Sequence, residues 1–168
     1  MANYALTGTP GTGKTSLKKH LNKKIISLSE YYEQASDGKT DNGEWIVDIE
    51  KLDNILEDSD CNFFEGNFSH KLDKIDKVIV LRCDPQILEK RLESRNYSKN
   101  KVRENLEAEA IGLIYSEAIE IRDRANVFQV DNSTRKPQET ASIIEKYIND
   151  NIKVEEEIDY SEKILDWY

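Results

Sequence analysis

Short apolar runs and stretches of helical spacing take turns along this chain of 168 residues. The segments "NYALTG" (3–8), "KIISLS" (24–29) and "VFQVD" (127–131) read as strands. "CNFFEG" (61–66) and "KVIVLRC" (77–83) are continuously apolar, the form taken by strands covered on both faces. Between them, "TGKTSLKKHLNKK" reads as a helix with Leu17 and Leu21 on one face, and "EYYEQAS" as a helical stretch fading into a loop, "DGKTDNGEW". "DIEKLDNILEDS" sets Ile49, Leu52, Ile55 and Leu56 at helical spacing behind Asp48 as N-cap. Asp84-Pro85 opens the helix "PQILEKRLESR", with the acid at the cap and proline in the first turn. One long helix is expected through "KVRENLEAEAIGLIYSEAIEIRDRA" (101–125), and a last one through "KPQETASIIEKYIND" (136–150). This alternation predicts an α/β fold, a parallel sheet with helices on both sides, in one domain over 1–150 followed by an acidic tail at 151–168.

Composition narrows the function. With 33 acidic against 24 basic residues the net charge is -9, which argues against strong direct binding to nucleic acid and leaves room for a basic protein partner. Cys61 and Cys83 lie in apolar runs without CxxC spacing and read as buried thiols of a reducing compartment. No signal peptide or long apolar span is visible, so no membrane partner and a cytoplasmic location are expected.

The chemistry starts at "ALTGTPGTGKTSL" (5–17), where Gly8-x-x-x-x-Gly13-Lys14-Thr15 stands between a strand and a helix. Glycines let backbone N–H groups curl around an anion, and the helix N-terminus adds its dipole. Lys14 is placed to reach the β- and γ-phosphates and the Thr15 hydroxyl to hold Mg²⁺. No DxxG or NKxD element marks a guanine site, so the expected nucleotide is ATP.

Such a loop needs a carboxylate at the end of another core strand, and Glu65, followed by Gly66, is the candidate metal and catalytic residue. His70 has two readings, a base behind the site or a solvated loop histidine, with the second preferred; His20 is read as structural. Arg91 and Arg95 share one helix face, where they serve either a phosphate or a ladder with Glu89, Glu93 and Glu104; Arg95, nearest the turn, is the phosphate candidate. Thr134-Arg135-Lys136 either meets the base or simply connects strand to helix. The tail end, with Ile164, Leu165 and Trp167, either packs back on the core or meets a protein partner.

The segments "LTGTPGTGKTSL", "VIVLRCDP…LEKRLESRNYS…KVRENLEAE" and "DNSTRKPQE" resemble the adenylate kinase isoenzyme 6 family, over nearly the whole chain to about residue 150. The resemblance implies a P-loop NTPase core of five parallel strands, a small NMP-binding insertion (about 27–47) and a short lid (about 94–104). It implies adenylate kinase and ATPase activity, and a role in small-ribosomal-subunit assembly with a basic ribosomal protein as partner. Carried over, ATP binding falls on Gly11, Thr12, Gly13, Lys14, Thr15 and Ser16, with Arg95 as lid arginine and Lys136 on the base side. In this reading Lys14, Glu65 and Arg95 are catalytic, and Thr15 and Glu65 serve the Mg²⁺. The alternatives are a nucleoside monophosphate kinase using AMP and a nucleotide-gated binding module with little turnover.

Three positions depart from the family pattern. Asn67 stands where a histidine is common and cannot shuttle a proton; Asn96 replaces a lid glycine but tolerates a left-handed backbone. Glu33 replaces a basic residue expected to grip the acceptor phosphate, which counts against AMP unless a lysine such as Lys39 compensates.

Overall fold

The computed structural model describes residues 1–153 and 157–167. Five parallel strands form the sheet: β1 (Tyr4–Thr7), β2 (Ile26–Ser27), β5 (Phe63–Glu65), β6 (Lys77–Arg82) and β7 (Val127–Asp131), in the order β2-β5-β1-β6-β7. The apolar runs are strands because both faces are covered. Tyr4, Leu6, Phe63, Ile79 and Leu81 point to one face, packing on Leu17, Ile144 and Tyr147. Ala5, Phe64, Val78 and Val80 point to the other, against Leu52, Leu56 and Ala118. Both cysteines are buried free thiols. Among the described residues no helix is long and apolar enough to cross a membrane.

The helices are α1 (Lys14–Lys18), α2 (Ile49–Leu56), α3 (Pro85–Glu93), α4 (Lys99–Ala110), α5 (Leu113–Ile121) and α6 (Pro137–Asp150). The expected caps form: Asp48 accepts from the Lys51 amide at 3.2 Å and Asp84 from the Gln86 amide at 2.9 Å. Other expectations need correction. The first helix stops at Lys18 and continues as irregular turns, with Leu21 still buried and the Asn22 amide held by Glu145 at 3.0 Å. The second strand is only two residues long and pairs with β5 alone. "EYYEQAS" is a 3-10 turn (Leu28–Tyr31) followed by turns rather than a helix.

The stretch read as a loop is an antiparallel hairpin, β3 (Ser36–Lys39) with β4 (Trp45–Val47), closed by Thr40 accepting from the Gly43 amide. Its strands are mostly exposed and carry no apolar alternation, so only Asn42-Gly43 signalled it.

The long helix expected over 101–125 is broken at Gly112, whose backbone is left-handed (φ 65°). A side chain there would meet the Arg82 guanidinium at 3.4 Å, so glycine both turns the chain and clears room for a buried charge. At the tail, Trp167 packs on the cluster formed by Leu88, Leu92, Val102 and Leu106, while Leu165 is exposed. Glu155 and Tyr168, the ends assigned to the acidic-aromatic tail, lie outside the described residues.

Candidate active site

Every candidate group sits at the C-terminal edge of the sheet, where β1 is flanked by strands reached in opposite directions, the usual crevice of such sheets. The loop between β1 and α1 supplies the floor. Gly13 has φ 105°, and a Cβ on it would lie 2.4 Å from the Asn132 side-chain nitrogen, so only glycine lets the loop close here. That nitrogen donates to the Thr12 carbonyl at 2.8 Å, while the Asn132 side-chain oxygen accepts from Thr140 at 2.6 Å. Asn132 was not singled out in the sequence; its one signal was its place directly after a strand.

Lys14 is buried, and its ammonium donates to the carbonyls of Gly8 (2.6 Å) and Thr9 (3.1 Å). Burial pushes its pKa down to about 8; Glu65 and Glu109 pull it up, and Arg95 pushes it down. It is therefore a cation poised inside the loop at neutral pH, held by carbonyls that a phosphate can replace.

In front of the loop lies a cavity of about 200 Å³ lined by Lys14, Thr15, Glu65, Asn67, Arg95 and Tyr97, with Ser29 and Tyr32 on its far wall. Glu65, 7% exposed at the end of β5, accepts no hydrogen bond on its carboxylate among the described residues, and its oxygens open on the cavity. Together with burial, its charge pushes the Tyr32 phenol up to about 12.

A second cavity of about 340 Å³ adjoins the first, sharing Gly11, Gly13 and Arg95 and adding Ser16, Arg91, Arg135 and Pro137. Arg95 is exposed and bridges the two. Arg91 makes no acidic ladder: it donates to the carbonyls of Gly11 (3.2 Å), Asn132 (2.9 Å) and Ser133 (3.0 Å). Lys136 is exposed at the cap of α6, beside Arg135 and Pro137 rather than in the lining.

The donor set suits a magnesium nucleotide. Lys14 and Arg95 offer positive charge to phosphate, and Thr15 and Glu65 offer hard oxygen atoms to one cation. Among the described residues no three His, Cys, Asp or Glu side chains gather into a metal cage of their own. A metal arriving with phosphates needs none.

A family profile described as an AAA domain matches residues 5–112. The "Putative adenylate kinase" of Methanosarcina acetivorans is 40% identical over 96% of this chain and 95% of its own length. The protein of the same name from Pyrococcus abyssi is 37% identical over 89% and 85%. This chain belongs to that adenylate-kinase-like family. Among solved structures, an uncharacterized protein from Eubacterium ventriosum covers 89% of this chain and 98% of its own with a TM-score of 0.53 at 13% identity, a likeness of fold alone.

Within this adenylate-kinase-like chain the three departures take concrete form. Asn96 does adopt a left-handed backbone, φ 60°. Asn67 lines the cavity, and its carbonyl accepts from the Thr7 hydroxyl at 3.2 Å. Glu33 is exposed and outside the cavity lining, where Ser29 and Tyr32 stand instead. Lys39 lies over the Trp45 ring at 4.2 Å.

His70 is not a solvated loop residue. It is fully buried between the Thr7 hydroxyl (2.9 Å) and Glu117 (3.2 Å), and burial pushes its pKa down to about 4. His20 is exposed. The first turn of α4 is tied to the β3–β4 hairpin by Lys101 and Glu44 at 3.1 Å.

Proposed function

We propose that this protein binds Mg·ATP in the paired cavities and transfers the γ-phosphoryl group, as an adenylate-kinase-like ATPase of small-ribosomal-subunit assembly. The convergence of Lys14, Thr15, Glu65 and Arg95 on one cavity beneath a glycine loop carries the phosphoryl-transfer reading. The triphosphate lies on the loop, and the base takes the second cavity near Asn132 and Pro137, with Arg135 beside it and Lys136 at its rim. Lys14 moves from its loop carbonyls to phosphate oxygens, and Arg95 adds charge from the lid side, where it develops during transfer. Thr15 and Glu65 would hold the Mg²⁺, which neutralises phosphate charge when bound. Glu65, with no hydrogen bond to its carboxylate, is free to orient the acceptor; Asn67 beside it accepts or donates a hydrogen bond but moves no proton.

The assembly role rests on the resemblance to isoenzyme 6, and the net charge of -9 suits a basic ribosomal protein as partner. In this reading residues 27–47 form the acceptor-side insertion, 94–104 the lid that excludes water on closing, and 151–168 the tail.

AMP as acceptor is the second reading, and one observation favours it. Glu33, the carboxylate expected to repel an acceptor phosphate, does not line the cavity.

The test is product formation from Mg·ATP with and without AMP, with and without a basic small-subunit ribosomal protein, beside Lys14→Ala. ADP and phosphate released without AMP, faster with the ribosomal protein and abolished in Lys14→Ala, is the expected result. ADP forming at twice the rate of ATP loss, and only with AMP, would replace the ATPase with a monophosphate kinase. ATP bound without turnover in any tube would leave a nucleotide-gated module.

A further inference from the structure

The phosphate loop is tied to the lid by a residue that the mechanism above does not use. Helix α4 starts just beyond the lid turn that carries Arg95, and its last turn holds Glu109, whose residue exposure is 2%. That carboxylate accepts three hydrogen bonds: from the Thr9 hydroxyl at 3.0 Å, the Arg82 guanidinium at 3.1 Å and the Cys83 amide at 2.9 Å. Arg82 also donates to the Glu109 carbonyl at 2.8 Å, so the end of α4 is fixed at two points.

Thr9 then faces two ways. Its hydroxyl holds α4, while its carbonyl accepts from Lys14 at 3.1 Å and from the Thr12 hydroxyl at 2.8 Å. Helix α3, on the other side of the lid turn, is fastened to the same loop through Arg91 and the Gly11 carbonyl. Both helices that flank the turn carrying Arg95 are therefore anchored to the loop that carries Lys14. A buried ionic group is a costly way to hold two elements together, and apolar packing often serves equally well. Its advantage is direction, because a hydroxyl aimed at a fixed carboxylate leaves its own backbone little freedom.

We infer that Thr9 and Glu109 are positioning residues, forming a link that holds the lid helix and the phosphate loop as one unit and brings Arg95 into register with Lys14 on the transferred phosphoryl group. The inference rests on the reading of the cavities as an ATP site. Neither residue touches the reacting atoms. The link acts through Lys14, by way of the Thr9 carbonyl, and through Arg95, by way of α4.

A double-mutant cycle between Thr9→Val and Arg95→Ala tests it, read as kcat and KM for Mg·ATP. Thr9→Val removes the hydroxyl and leaves the Arg82–Glu109 pair intact; Thr9→Ala makes the same comparison should the valine variant fail to fold. The expected result is a kcat about tenfold lower in Thr9→Val, with KM changed by less than about threefold. Thr9→Ser should return kcat to within about twofold of the parent. In the Arg95→Ala background Thr9→Val should cost less than about threefold, because the link serves to bring Lys14 and Arg95 into register with each other and one of the two is already gone. Full multiplication of the two single effects would overturn the link, as would an unchanged kcat in Thr9→Val or a serine variant no better than valine. Failure of the unmutated protein to bind Mg·ATP, measured by calorimetry, would instead remove the ATP reading itself.

Discussion

Glu65, at the end of β5, and Glu109, at the end of α4, both act on Lys14, and both are more than nine-tenths buried. Their surroundings differ. Glu109 is saturated: Thr9, Arg82 and Cys83 take its oxygens, and burial pushes its carboxyl up against the pull of Arg82. Glu65 accepts no hydrogen bond among the described residues and faces a cavity. Its oxygens open on that cavity rather than being sealed without donors, so water or a ligand can fill their lone pairs. The contrast teaches how to tell a carboxylate reserved for a ligand from one used to build the frame around it. The burial of the whole residue does not separate them; what their oxygens meet does.

Glu65→Gln is the strongest way to break this contrast. It should lower kcat by about 10²-fold, as removal of a metal- or nucleophile-positioning carboxylate does, with the melting temperature held within a few degrees. A large loss of stability would make Glu65 a second frame carboxylate. Glu109→Gln should do the reverse, costing about 3 kcal/mol by stranding Arg82, roughly a 10 °C drop in melting temperature, with kcat at a permissive temperature down only about tenfold. Thermal unfolding beside kinetics on the same samples checks both.

The pH profile sharpens the comparison further. Lys14, pushed to about 8, should lose its proton above that pH, and kcat/KM for Mg·ATP should fall there. The unfolded chain, with an ordinary lysine value of 10.5, holds more protons between the two values, so Lys14 by itself adds stability as pH rises across that window. The Cys83 thiol, pushed up by burial from 9.0 to about 11, acts in the opposite direction, so the melting temperature is followed over the same pH range to separate the alkaline loss of activity from unfolding. Glu65→Gln should move that limb to lower pH by more than Glu109→Gln does, since Glu65 is the stronger of the two influences. A limb that neither variant moves belongs to another group.

The smallest effect concerns His70. Held near 4 by burial, against 6.5 in the unfolded chain, it costs stability progressively as pH falls from 6.5 to 4. His70→Gln should flatten the dependence of melting temperature on pH in that window and leave the alkaline limb of activity in place. A parallel shift of both would place His70 in the site.

Much of the candidate site was legible in the chain because it is local. The strand, the glycines and Gly13-Lys14-Thr15 are contiguous, so the spacing alone builds the anion cradle. Glu65 was readable as the only acid ending an apolar run before a glycine. The hairpin at 36–47 was missed because its exposed strands lack alternation, and the break at Gly112 because its cause, the Arg82 guanidinium, lies thirty residues upstream. His70 was misjudged for a similar reason: its partners, Thr7 and Glu117, come from distant parts of the chain.

The sequence by itself determined the α/β alternation, the caps at Asp48 and Asp84, the phosphate loop and its lysine, since each depends on residues within a few positions of one another. Only the tertiary structure decided that Arg91 braces loop carbonyls while Arg95 faces the cavities, that Glu33 stands outside them, and that Glu109 is spent on Thr9 and Arg82. Those outcomes depend on which side chains meet across the sheet's edge. Spacing says what a residue can do, but the donors it meets on folding settle what it has left to offer.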